Sequence, residues 1–546
     1  MVHKRFLPVL LCSLFCSVGM AAGTEIEIVS QKDFDCLGET LDALASRGER
    51  DIHVRFAPGV YFFQENHIAL IGWDYPDMDL EIDGSGAMLV GAGDDCPAER
   101  DGNRFSAALT QAYDPDAALV SMHRLQPLDT RSEARFAFSY PLPTFRHDEY
   151  VILTRAGELH PEESGHARLF FSQWYESGIY PIHRIRRGWI RFSVKDRNPG
   201  KPSLYSELRY GRCRPRYMVD NEISDAHPYV QGNRVYHQEM DTLHFCHAST
   251  FLRMEQVVLQ TFRIHDLHFL GNSASAPLLD FRSVSPACLT VSDCRFTGIR
   301  SDVIALQDVD DAQIRGNVIR NCYRNGMVVD NGCNRTVISG NDMGEIGLGY
   351  SNFSAILCKG KDFVITDNRI FNFCYNGIGL GLHYTEEAGQ GTSGLVSHNE
   401  LFQTEDFRRN RRMSLTDSGA IYVCTQTDGI DIVGNYIHDI GGPHGNSGIF
   451  CDDGACNILI SRNLVLNVEN DYCIDLRRCF SVTRISGFKI PAPNCGNRMS
   501  GNVVDGAVRF FVRRSDPGSV RGRNVHLPRG ADRSEWERRW HNRELS

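Results

Sequence analysis

Four aspartates in the C-terminal half, Asp417, Asp452, Asp453 and Asp475, are the side chains best suited to chemistry. Cleaving a glycosidic bond without a cofactor takes two carboxyl groups. One protonates the leaving oxygen and the other acts as base or nucleophile. Near them in sequence lie Lys359, His383, Tyr422, Gln426, His444 and Arg477, and the loop "HYTEEAGQG" supplies Glu386 and Glu387. Rings, hydrogen-bonding groups and carboxylates in one place suit a carbohydrate. The same set could serve β-elimination from a uronate, which needs a base such as Lys, His, Arg or Tyr and a cation to neutralise the acid. The basic run "FRRNRR", 407–412, would suit an anionic polymer, although such a run is also ordinary in a solvated loop.

Metal chemistry is not indicated. His438 and His444 stand six residues apart around a Gly-rich turn, which is not the i, i+4 spacing of a helical metal pair. His438 is expected at a chain corner and His444 in a substrate loop. Cys451 with Cys456, and Cys473 with Cys479, form no paired CxxC array, so neither structural zinc nor a cofactor is expected. The cysteines are expected to be buried thiols rather than a disulfide framework.

The elements that must hold these residues repeat. A small or polar residue, Asn, any residue and an aliphatic recur as "RGNVI" (Asn317), "SGNDM" (Asn341), "TDNRI" (Asn368), "SHNEL" (Asn399), "VGNYI" (Asn435), "SRNLV" (Asn463) and "SGNVV" (Asn502). "FLGNS" at Asn272 and "SDCRF" around Asp293 look like weaker copies. The period starts near 23 residues and lengthens later. Short β-branched strands flank each copy, without helices between, which fits a parallel β-helix whose coils bury their apolar sides only by stacking. A leucine-rich repeat has a similar period, but its Leu spacing is absent. Asn suits the tight corner because it tolerates the left-handed region, and stacked Asn side chains could bond in a ladder.

Strand alternation then sorts the side chains. Placing the first aliphatic inward puts Ile356, Cys358, Ile378, Leu380, Leu382, Ile421, Val423, Ile449, Cys451, Ile474 and Leu476 in the core. Lys359, His383, Tyr422 with Gln426, Asp452, and Asp475 with Arg477 then point outward on five successive coils. Coils stack about 4.8 Å apart, so this stripe is roughly 20 Å long, a few sugar units.

The coil pattern resembles the right-handed parallel β-helix carbohydrate-active proteins, the glycoside hydrolase and pectate-lyase-like superfamily. The segment 51–93, with "PGVY" and "DLEIDGSGA", resembles their opening coils. Related hydrolases carry a "DxGAiY" strand followed one coil later by "GIyxDdG". Here the matching strands are "TDSGAIYV" and "SGIFCDDG", so the resemblance implies catalytic roles for Asp417, Asp452 and Asp453. The Gly-His-Gly and "RIK" of polygalacturonases are not matched, since "PHG" precedes the aspartate pair and no "RIK" follows. The expected fold class is all-β, a right-handed parallel β-helix with an inserted β domain and short capping helices.

The expected organisation is a signal peptide at 1–22, an N-terminal cap and first coils at 23–93, an inserted β-rich domain at 94–254, the β-helix at 255–516 and a tail with a helix at 517–546. "DFDCLGETLDALASRG" reads as an amphipathic cap through Leu37, Leu41 and Leu44. Trp536 and Trp540, at i, i+4, read as a terminal helix packed on the last coil. His3, Lys4 and Arg5 precede an apolar run from Phe6 to Val18 and then small residues, the pattern of a secretory signal. Export to the periplasm or the medium is therefore expected. The run is too short to span a bilayer, and no transmembrane segment follows. The net charge of −10 argues against nucleic acid as a general partner. The outward stripe and the resemblance imply a polysaccharide or oligosaccharide instead. Three readings remain open: a glycoside hydrolase, a polysaccharide lyase, and a non-catalytic glycan-binding β-helix. The sequence sets no oligomeric state.

Overall fold

A computed structural model describes residues 23–93 and 246–545, apart from 274–275, 348–352, 383–390, 411–417, 426, 442–445, 453, 470–471, 478–495 and 511–518. Of 94–245 it describes the backbone of separate strands, and the side chains of 286–287, 406, 409–410 and 428 are not described. The expected signal segment and the candidate residues Asp417, Asp453, His383, Glu386, Gln426 and His444 lie outside the described residues.

The chain winds into a parallel β-helix. One coil consists of the strands Ser418–Cys424, Thr427–Val433 and Tyr436–Ile440, and the next of Asn446–Cys451, Ile458–Ser461 and Leu464–Val468. Each strand pairs in parallel with its equivalent one coil on. The first two strands of every coil belong to one continuous 22-stranded sheet, and the third builds a 12-stranded sheet that closes the other side. Aliphatic side chains stack in rows between them. Ile356, Ile378, Ile421, Ile449 and Ile474 are in register and fully buried. Each contributes about 1.5–3 kcal/mol by leaving water.

A ladder of asparagines marks the corner between the second and third strands. The Asn399 side-chain N–H donates to Asn435 Oδ1 (2.9 Å) and to Ile365 O (2.9 Å), and its own Oδ1 accepts from Asn368 N (3.0 Å). The same bonds run from Asn317 through Asn341, Asn368, Asn399, Asn435, Asn463 and Asn502 to Asn524. They satisfy buried backbone groups that the bend takes out of the sheet ladder. The left-handed conformation falls on the residue before each asparagine, not on the asparagine: Gly316, Gly340, Asp367, His398, Gly434, Arg462 and Gly501 all have φ between 55° and 71°. Two expected copies differ. In "SDCRF" the ladder position is Cys294, whose N–H donates to Asn317 Oδ1. Asn272 is no ladder member, because Leu267 occupies that place in its coil and Asn272 instead donates to Ser249 O and Ser301 Oγ.

A second polar ladder, not foreseen, runs along the corner before the first strand. Asn325 donates to Asp302 (2.8 Å), the Ser354 N–H to Asn325 (2.7 Å), the Gly419 N–H to Asn376 (3.2 Å) and Ser418 to Asn446 (2.8 Å). Just inside it the backbones of adjacent coils nearly touch. A Cβ on Gly377 would lie 2.7 Å from Ala420 O, and one on Gly448 2.6 Å from Cys473 O. Only small residues fit in that row.

The open end is capped by the helices Gln31–Asp35 and Leu37–Ser46, which bury Phe34, Leu37, Leu41 and Leu44. Between Gly91 and Ala248 the chain leaves the solenoid. Its exit and return strands, Gly93–Pro97 and Thr242–Cys246, pair antiparallel, and further antiparallel strands lie between them. The C-terminal helix, Ser534–His541, packs over several late coils. It lies across the outside of the third-strand sheet, where Trp536 and Trp540 pack on Tyr436, Leu464, Leu466 and Val503. Trp540 donates to Gly434 O (2.6 Å) and Tyr436 to Glu537 (2.5 Å). Among the described residues no helix is long and apolar enough to cross a membrane.

Candidate active site

The first strands of five consecutive coils, Ser354–Cys358, Asn376–Gly381, Ser418–Cys424, Asn446–Cys451 and Tyr472–Leu476, carry the expected outward stripe. Register resolves it into two rows. One runs Leu357, Gly379, Tyr422, Phe450, Asp475 and then Arg509, which the strand Ala507–Phe510 adds on a sixth coil. The other holds Lys359 near one end, Cys424 in the middle, and Asp452 and Arg477 just past the ends of their strands. Asp452 and Arg477 are tied by N–H donation to Val423 O and Cys451 O respectively. Leu382 corrects the simple alternation. Gly381 and Leu382 both take positive φ, which ends the strand and swings Leu382 out of the core onto Tyr422, Cys424 and Phe450.

Asp452 is the half-buried carboxylate of this face, and Tyr422 one coil away donates its hydroxyl to Asp452 Oδ2 at 3.1 Å. Tyr422 is only 2% exposed, packed edge-on against Phe450 (ring centroids 5.0 Å apart) and near Tyr375 (6.2 Å). Its ring was expected to touch substrate; it is packed into the wall, and its hydroxyl reaches the Asp452 carboxylate. Phe450 is fully buried, and the Arg477 guanidinium lies over its ring at 4.2 Å, a cation–π contact.

Asp475 is built differently. It is 1% exposed, and both its oxygens are engaged by arginines. Arg509 Nε donates to Oδ1 (2.5 Å), the Arg509 terminal nitrogen donates to Oδ2, and Arg477 Nε also reaches Oδ2 (3.3 Å). With both oxygens held by arginines, the carboxylate forms a bracket. It holds two half-exposed guanidiniums side by side, Arg509 also lying over Tyr472 at 4.3 Å. Arg509 was missed in the sequence, although "DGAVRF" carries the polar residue and glycine that also precede the first strands of other coils. Lys359 ends the stripe in an ion pair with Asp330 of the preceding coil (3.2 Å).

Cys451 points into the core and burial pushes its thiol well above the ordinary range, while Cys358 is pushed up to about 12 by burial. Among the described cysteines, Cys288, Cys294, Cys322, Cys333, Cys358, Cys451 and Cys473 are free thiols, buried except for half-buried Cys288, and Cys36 is a free thiol at the surface. His438, expected at a corner, sits in the strand Tyr436–Ile440 on another sheet. There it stacks on Tyr436 and Phe402 and pairs with Asp439 (2.7 Å) and Glu400 (3.4 Å), far in role from the stripe.

No family model matches the chain, and no curated protein does. Solved structures are similar in fold. A glycoside hydrolase is 11% identical with a TM-score of 0.44, over 94% of this chain and 100% of that one. A mannuronan C-5 epimerase A-module from Azotobacter vinelandii is 16% identical with a TM-score of 0.36, over 52% and 72%. The catalytic unit of an α-1,3-glucanase from Streptomyces thermodiastaticus is 10% identical with a TM-score of 0.28, over 70% and 89%. At TM-scores below 0.5 these likenesses carry no argument, and the fold and the roles of residues here rest on this chain's own geometry.

Proposed function

We propose that the protein is an exported glycoside hydrolase acting on a polysaccharide or oligosaccharide laid along the outer rows. The observation that carries this reading is the Tyr422 hydroxyl bond to Asp452 (3.1 Å), which orients a half-buried carboxylate beside a cationic, aromatic surface. Asp452 acts as one of the two carboxyl groups, and Asp417 or Asp453 supplies the other. Arg477 and Arg509, bracketed by Asp475, bind the substrate's oxygens. Tyr422 is a positioning residue, and Lys359 lies at one end of the cleft.

A second reading, a lyase, is favoured by one observation: two guanidiniums held together by Asp475 could neutralise a uronate carboxylate while a tyrosine or lysine takes the proton. Incubation of the purified protein with a panel of neutral and uronate-containing glycans separates the two. New reducing ends with saturated products support the hydrolase. Products absorbing in the ultraviolet as unsaturated uronates overturn it in favour of the lyase. Binding without turnover by protein that is well folded would leave a glycan-binding β-helix.

A further inference from the structure

Far from this face, the outer side of the second-strand row gathers imidazoles and carboxylates where the inserted segment departs and returns. The strands Asp51–Phe56, Asp74–Asp83 and Leu252–His265 lie side by side there, with His53, Glu81 and Arg263 in one register row and Arg55, Asp83 and His265 in the next. Glu81 is gripped from both sides, by His53 Nδ1 (2.7 Å) and His265 Nε2 (3.1 Å). His53 is held in turn by Asp51 (2.8 Å). The second nitrogen of His265, Nδ1, faces Asp266 Oδ2 (2.8 Å) and Asp83 Oδ1 (3.9 Å). One donor atom from each of Asp83, His265 and Asp266 falls within 4.8 Å of the others. Asp266 is half turned into the cluster because it occupies the left-handed corner position, φ 55°, that precedes the ladder residue in other coils.

This layout has the logic of a metal ligand. With Nε2 facing Glu81 and Nδ1 facing Asp266 and Asp83, the ring can donate to Glu81 and offer Nδ1 to an ion held by the two carboxylates. Three such donors converging on one place need a proton or a cation between them. The nearby charges do not remove the need. Asp51, Glu81, Asp83 and Asp266 are four acids, set against His53, His265 and Arg55, whose Nε is 3.5 Å from Asp83. Arg263 is on the same strand and forms no ion pair among the described residues, and the next coil offers only neutral Ser292 in register. At His438, where a comparable His–Asp–Glu group occurs, Arg408 and Arg533 already neutralise Asp439.

We propose that His265 Nδ1, Asp83 and Asp266 bind one divalent transition-metal ion of the zinc class, which staples the coil before the inserted segment to the coil after it. One imidazole and two carboxylates, completed by water, suit zinc or a neighbouring first-row ion better than calcium, which takes oxygens alone. Zinc bond lengths place tetrahedral donors roughly 3.3–3.5 Å apart, within reach of small side-chain rotations from the distances here. Asp83 stands before the insertion and His265 after it, so the ion would close the loop that the insertion leaves long. Binding displaces the proton from Nδ1 into solution.

The test is calorimetric titration of chelator-treated, tag-free whole protein with zinc chloride, run in two buffers of different ionisation enthalpy, beside thermal unfolding with and without the ion. One equivalent of zinc binds, a proton is released and the unfolding temperature rises. His265→Gln, which can keep the bond to Glu81, and Asp83→Asn each weaken that binding by about 10- to 100-fold or more. Asp293→Asn, at the equivalent corner one coil on, leaves it unchanged. Absence of binding by the wild type, or the same affinity in wild type and His265→Gln, overturns the proposal. Calcium binding as tightly as zinc does so too.

Discussion

Two edges of the same coil are built on opposite rules. At the corner between the second and third strands, eight asparagines repeat one set of hydrogen bonds from Asn317 to Asn524. Along the outer row of the first strands, Tyr422, Phe450, Asp475 and Arg509 are consecutive in register and no type occurs twice. The corner meets the same physical demand in every coil: a bend leaves backbone N–H and C=O groups buried and short of partners. The outer row has no backbone duty, since the sheet already satisfies its own polar groups. Its side chains are free to differ, and their differences are where recognition and chemistry can be written. Repetition marks what holds the solenoid, and departure from it marks the candidate site.

Replacing a carboxylate proposed to react should separate the two edges most widely. Asp452→Asn is expected to lower kcat/KM by about a thousandfold or more, the scale of a lost general acid or base, with an unchanged unfolding temperature. An active, well-folded variant would remove Asp452 from the site. Next in size, Asn399→Leu strands the Asn368 N–H and the Ile365 carbonyl in the core, while Asn435 Oδ1 keeps the Asn399 backbone N–H. At about 1–3 kcal/mol per unsatisfied group, the expected loss is about 3 kcal/mol or more of stability. The folded fraction, measured by activity per folded molecule after denaturant titration, should work within about twofold of normal. Asp475→Asn tests whether the edges are truly separable, since this buried carboxylate of the outer row also neutralises Arg477 and Arg509. Both stability, by about 3 kcal/mol, and activity should fall, and loss of activity alone would mean the bracket is not structural. Tyr422→Phe keeps the buried ring and removes the hydroxyl. A fall of about 5- to 10-fold in kcat with an altered pH profile is expected, matching one hydrogen bond to a charged group.

The smallest effect concerns the third-strand sheet, where the C-terminal helix docks over His438. Burial opposes charge on His438, but hydrogen bonds and attraction from Asp439 and Glu400 raise its pKa. Burial likewise opposes ionisation of Asp439, but bonds from His438 and Asn467 win and hold its carboxyl low. Glu400 is lowered first by its bond to His438. The histidine's contribution is complete below its unfolded pKa and fades as pH rises through the raised value. The carboxylates' contribution is complete above their ordinary range and fades as pH falls through the lowered ones. Docking should therefore be firmest between those limits, seen as the least exposed fluorescence of Trp536 and Trp540 in mildly acidic buffer. His438→Gln should flatten that profile.

Local pattern carried much of this into view before any coordinates. The Asn ladder from Asn317 to Asn502, the inward rows of Ile378, Ile421, Ile449 and Ile474, and the outward direction of Tyr422, Asp452 and Asp475 all follow from a two-residue alternation read within single strands. Alternation failed at Leu382, because two successive left-handed residues reset it. "FLGNS" misled because Asn272 resembles the motif but falls five residues past the ladder position. The second polar ladder left a signal in "RNGMVV", "YNGIGL", "DSGAIY" and "NSGIFC", a polar residue just ahead of a tight glycine. It was easily read as mere turn chemistry.

The sequence by itself determined a solenoid of parallel strands, the corner that staples it and the face on which the carboxylates stand, because each depends on a period shorter than the loops that interrupt it. Only the tertiary structure decided which of those outward residues meet. Tyr422 and Asp452 are 30 positions apart, Asp475 and Arg509 34, and Glu81 and His265 184. Those contacts are set by how coils of unequal length come into register when their apolar rows stack, and strand alternation alone carries no record of that register.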